Sequence, residues 1–71
     1  MNRINKGDLV YVPSDVTLFI SDRQGAVRKI MKLHEPANLL VTKIHNNTYE
    51  VFYENEEWLV KKNKTYEVRN D

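Results

Sequence analysis

The sequence predicts an all-β fold, a small barrel of antiparallel strands, and three observations carry that prediction. Residues 39–68 read as consecutive strands: 39–45 (Leu-Leu-Val-Thr-Lys-Ile-His), 48–54 (Thr-Tyr-Glu-Val-Phe-Tyr-Glu) and 57–61 (Glu-Trp-Leu-Val-Lys), each bounded by a short polar turn. Turn-forming residues punctuate the chain, with Gly7-Asp8 before the first apolar segment and Pro13-Ser14-Asp15 and Asn46-Asn47 between later ones. Finally, 71 residues make one domain near the lower limit of independent folding, where roughly 60% of the unfolded surface is buried. A chain so short, once committed to a barrel, has few residues left for a deep catalytic cleft.

Taken in order, residues 1–6 are polar apart from Met1 and an isolated Ile4 and form a flexible arm leading to the domain at 7–71. The first strand is 9–12. Proline at position 13 lacks the donor a central ladder needs, so the chain turns there. A short apolar segment follows at 16–20, then a polar loop at 21–25. Residues 26–35 are ambiguous: Val27, Ile30, Met31 and His34 fit a helical face, yet the segment is short and stops before Pro36, which favours a strand or one long irregular loop over a short helix. Asn46-Asn47 suits a two-residue hairpin turn with positive φ at both positions. A polar turn at 61–65 leads to a last strand at 66–68.

Composition narrows the function classes. Without cysteine there is no disulfide and no thiolate metal ligand, so packing must stabilise the fold, and a reducing cytoplasm is the expected setting. Eleven basic and ten acidic residues leave a net charge of +1, too little for a global pull on nucleic acid or membrane. No apolar run approaches the roughly 20 residues of a membrane span, and the first 22 residues lack the pattern of a signal peptide. The chain reads as complete, soluble and intracellular. Its aromatic anchors are Tyr11, Phe19, Tyr49, Phe52, Tyr53, Trp58 and Tyr66, and the four between 49 and 58 place the expected centre of the core there.

The opening Gly7-Asp8-Leu9-Val10-Tyr11-Val12-Pro13, the hairpin core, and the ending Trp58-Leu59-Val60 followed by a polar turn and Tyr66-Glu67-Val68 together resemble SH3-like barrels, over most of the chain. The resemblance implies a small five-stranded SH3-like barrel of the KOW and Tudor-like kind, whose last strand is often reached through a 3₁₀ turn. The Val-Pro-Ser-Asp-Val-Thr-Leu run after the first strand is also similar to small accessory proteins of tailed bacteriophages. Ligand preference does not carry over. Peptide-binding SH3 domains have an acidic, aromatic loop where residues 21–35 are basic, and the KOW motif needs a late glycine where Gly25 is the last in this chain.

Alternation in the hairpin sends Tyr49, Val51 and Tyr53 to one face and Thr48, Glu50, Phe52 and Glu54 to the other. With Trp58 and Val60 inward, Leu59 joins Phe52 on the outer face beside Glu50, Glu57 and Lys61. Phe52, Leu59, Glu50 and Lys61 therefore form the first candidate site, an apolar pair among charges fit for a protein partner. Its rival is a Phe52 covered by residues 21–35 or by the amino-terminal arm. Arg23, Arg28, Lys29 and Lys32, with His34, are the local excess of positive charge, and Lys61, Lys62 and Lys64 extend it if they lie nearby. This is the alternative site, for RNA or DNA phosphates, against a solvated segment that guards an edge strand.

Catalysis and metal binding find little support. His34 and His45 are too few for a zinc site without carboxylate help. Glu54, Glu56 and Glu57 belong to a solvated turn, and Ser14 and Ser21 lack a nucleophile elbow. The expected protein is a non-enzymatic binding module without cofactor, metal or small-molecule substrate, directed at a protein partner, with a phage modifier of host machinery among the expected roles; the alternative is an RNA- or DNA-binding barrel.

Overall fold

The computed structural model describes residues 4–68. They form one antiparallel sheet of seven strands: β1 (Leu9–Val12), β2 (Thr17–Ser21), β3 (Val27–Lys32), β4 (Ala37–Ile44), β5 (Thr48–Tyr53), β6 (Glu56–Lys61) and β7 (Tyr66–Glu67), with a 3₁₀ turn at Lys62–Lys64. In space the order is β3-β2-β6-β5-β4-β1-β7. Strands β4, β5 and β6 make a meander, and β1 lies between β4 and β7. The sheet has seven strands rather than five and does not close, since β3 and β7 stand at its two ends. Residues 26–35 contain strand β3, as the proline-limited length favours, and no helix.

Turn chemistry fixes the hairpins. Asp22 organises the β2–β3 tip: its Oδ1 accepts from the backbone N–H groups of Gln24 (2.9 Å) and Ala26 (3.0 Å), and its carbonyl accepts from Gly25. Gly25 has φ +88°, a conformation L-residues avoid. The β4–β5 turn departs from expectation, because neither Asn46 nor Asn47 has positive φ. The tight primed turn lies instead between β5 and β6, where Glu54 (φ +50°) and Asn55 (φ +66°) join the paired Tyr53 and Glu56. A β-bulge between Val41 and Lys43 shifts the β4–β5 register at Thr42.

The inner face holds Val10, Val12, Leu18, Leu33, Leu39, Val41, Tyr49, Val51, Trp58 and Val60, joined by Ile4. Ile4 packs into this cluster although it precedes the first strand; residues 1–3 of the expected arm lie outside the described residues. The core is more aliphatic than expected. Its fully buried side chains are leucines and valines, and of the seven aromatics only Tyr49 and Trp58 are buried. Each fully buried Val or Leu contributes about 1.5–3 kcal/mol. The Trp58 indole N–H donates to the Tyr53 carbonyl at 3.1 Å, and the buried Thr65 hydroxyl donates to the Lys62 carbonyl at 2.8 Å. Among the described residues no buried side-chain polar atom lacks a partner, as a stable interior requires.

Candidate binding surfaces

The outer face of the sheet is where the sequence leaves chemistry unexplained by packing. In β1, Val10 and Val12 point into the core, so Leu9 and Tyr11 point out; in β4, Leu39 and Val41 point in, so Leu40 points out. Register then aligns them, since Leu9 pairs with Leu40, Leu40 with Phe52 and Phe52 with Glu57. Leu9, Leu40 and Phe52 are 46%, 42% and 45% exposed, an apolar row across three adjacent strands. Tyr11 stands two residues from Leu9 and faces Tyr66 of β7, their ring centroids 6.3 Å apart in a tilted pair.

Phe52 is thus outward and 45% exposed, buried under neither residues 21–35 nor residues 4–6, the described part of the amino-terminal arm. Leu59 shares its face as a diagonal neighbour, because Phe52 pairs with Glu57 and Glu50 pairs with Leu59. Leu59 is only half-buried rather than free, since Phe19 of β2 pairs with it. The sequence missed Leu9, Leu40, Tyr11 and Tyr66. Leu39-Leu40 carried a signal, because adjacent strand residues cannot both face one core.

Glu50 sits in a small electrostatic cluster. Its carboxylate lies 3.1 Å from His45 Nε2 and its pKa is lowered, first by hydrogen bonding with Glu57, against burial, and further by His45 and the charge of Lys43. The Thr42 hydroxyl lies 3.2 Å from the Glu50 carbonyl and 3.1 Å from Glu57 Oε1. Lys61 is exposed at the end of the same strand as Leu59.

The basic residues do not form one loop cluster. Arg23 is exposed at the β2–β3 tip, and Arg28 Nε lies 3.3 Å from the Asp22 carboxylate. Lys29 Nζ donates to Glu56 at 2.8 Å and sits 5.4 Å from the Trp58 ring centroid. Lys62 Nζ is similarly placed 5.3 Å from the Tyr49 ring. Lys32, Lys61 and Lys64 make no salt bridge among the described residues. Charges on successive strand residues point to opposite faces, which is why a run that is compact in sequence is dispersed in space.

Among the described residues no three His, Asp or Glu side chains are grouped to hold a metal ion, and no helix is long and apolar enough to cross a membrane. No family model, curated protein or solved structure matches the chain.

Proposed function

We propose that the protein is a non-enzymatic binding module of SH3-like design that contacts a protein partner, acting in the cytoplasm as a phage-encoded modifier of host machinery. The SH3-like reading draws support from the β4-β5-β6 meander, the placement of β1 between β4 and β7, and the 3₁₀ turn before the last strand. The observation that carries the contact reading is the row Leu9, Leu40 and Phe52, each more than two-fifths exposed and aligned by register. Scattered apolar residues on a surface are ordinary, but a contiguous row rimmed by charged groups marks an interaction site. Phe52 is the anchor of the row and Leu59 its half-buried flank, with Glu50 and Glu57 forming an acidic rim and Lys61 a basic end. Aromatic anchors within such a rim carry a large share of interface energy.

The test is Leu40→Ser combined with Phe52→Ser. Partner capture by the tagged protein, with bound proteins identified by mass spectrometry, should be lost while the melting temperature stays within a few degrees of wild type. Unchanged capture, or a variant that unfolds because these side chains support the core, would remove this face from consideration.

A further inference from the structure

The other half of the sheet carries a second surface, which meets the flank of the Leu9-Leu40-Phe52 row at Leu59 and Lys61. On the outer face Phe19 of β2 lies between Ile30 of β3 and Leu59 of β6, its paired residues. Ile30 is 67% exposed. Two residues back along β2, Thr17 pairs with Lys32, and the register set by Phe19 and Leu59 brings Lys61 to its other side. An apolar rung, Ile30-Phe19-Leu59, therefore runs beside a basic rung, Lys32-Thr17-Lys61, displaced by two strand residues or about 7 Å. Lys64 arrives from the 3₁₀ turn, and Asp15, Val16, Thr17, Phe19, Lys61 and Lys64 line an open concavity of about 430 Å³, a size suited to a small organic ligand.

We propose that this concavity binds a nucleotide unit of single-stranded nucleic acid, with the base against Phe19 and its phosphate between Lys61 and Lys64. Lys32, at the far end of the basic rung, takes a neighbouring phosphate. The class follows from the pairing of an aromatic face with ammonium groups one rung away, the spacing of a base from its own phosphate. A duplex keeps its bases stacked inside and offers nothing to Phe19, whereas single strands use aromatic faces with little regard to sequence. The three lysines are unpaired with carboxylates among the described residues, unlike Arg28 and Lys29, which Asp22 and Glu56 occupy. Asp15 on the rim opposes a phosphate and sets the sign of a diagnostic variant. A free mononucleotide shares this chemistry, so the experiment separates the two sources.

The measurement is fluorescence anisotropy of labelled (dT)15 titrated with the protein at several KCl concentrations. Two neutralised phosphates on a single strand predict a log-log salt slope of about −1.4, or roughly 7-fold weaker binding between 50 and 200 mM salt. Lys61→Ala with Lys64→Ala should flatten the slope to about −0.7 and leave the melting temperature unchanged. Asp15→Asn should tighten binding. Phe19→Ala should weaken it by about five-fold or more; because Phe19 also packs within the sheet, an abasic oligonucleotide on the wild-type protein provides the same loss without touching the fold. Displacement of (dT)15 by thymidine 5′-monophosphate, or its failure to displace, supports the site in either case and names the free nucleotide or the strand as the source. No binding at 50 mM KCl, equal affinity for duplex or abasic DNA, or affinity indifferent to the two lysine substitutions would overturn the proposal. The Leu40→Ser, Phe52→Ser variant should bind (dT)15 as wild type does.

Discussion

Replacing Glu54 by glycine should stabilise the protein, and the reason lies in the turn between β5 and β6. Glu54 and Asn55 occupy the two loop positions between the paired Tyr53 and Glu56, with φ of +50° and +66°. An L-residue in the left-handed region costs roughly 1–2 kcal/mol, while asparagine tolerates it better through local hydrogen bonding. Glycine removes that strain but adds freedom to the unfolded chain, which returns roughly 0.5–1 kcal/mol. The net gain is about 0.5–1 kcal/mol. For a domain of this size 1 kcal/mol shifts the melting temperature by roughly 4–8 °C, so Glu54→Gly should melt about 3–6 °C higher. Asn46→Gly is the control: Asn46 is not at positive φ, so glycine there brings only the entropic loss and should lower stability by about 0.5–1 kcal/mol. Circular dichroism melts, with urea titrations to separate the free energy from the slope, measure both. Glu54→Gly neutral or destabilising, or Asn46→Gly stabilising, would refute the assignment of the primed turn to positions 54 and 55.

Three further predictions concern charge. Glu50 has a depressed pKa in the fold, so its contribution is present above its ordinary value of 4.5 and is lost as pH falls through the lower folded value; urea stability of wild type and Glu50→Gln should differ by a constant amount above about pH 5 and converge in acid. Tyr49 is raised by burial, so its contribution holds below its ordinary value of 10.0 and is lost as pH rises through the higher folded value, a loss that Tyr49→Phe should abolish in alkaline melts. Lys29→Ala removes both the Glu56 pair and the position over Trp58; with the two charged side chains 54% and 41% exposed, the loss should be about 0.5–1.5 kcal/mol and should shrink in 1 M salt. A loss that persists undiminished in high salt would mean that the aliphatic stem of Lys29, rather than its charge, supports Trp58.

What could be read from the sequence was the inside of the sheet, and what could not was which strands lie side by side. Alternation alone puts Tyr49, Val51, Trp58 and Val60 inward, because a half-buried strand without a bulge keeps a two-residue period. The same rule applied to β4 would send Lys43 inward with Leu39 and Val41, and the bulge at Thr42 is what turns it out to face Glu50. A lysine in core phase was the visible sign of that bulge, but the position of the extra residue depends on the partner strand. Closure failed for a related reason: β3 and β2 form their own hairpin, and β2 pairs with β6 through Phe19 and Leu59 alone, so the sheet ends in an edge instead of returning to β7.

The outer face follows from the same physics, and its apolar residues are the ones that the single core leaves unexplained. A sheet with a single core can satisfy its hydrophobic demand on one face, and here the inner face does so with leucines, valines, Tyr49 and Trp58. Side chains on the other face contribute less to folding, and charged or small polar residues would serve there at least as well. Leu9, Leu40 and Phe52 on one half, and Ile30 and Phe19 on the other, depart from that pattern at positions that register makes adjacent. Clustering of such departures sets them apart from isolated exposed hydrophobics. If contact is their purpose, polar substitutions on these rows should separate binding from stability, whereas substitutions at Val51 or Val60 must lower both together.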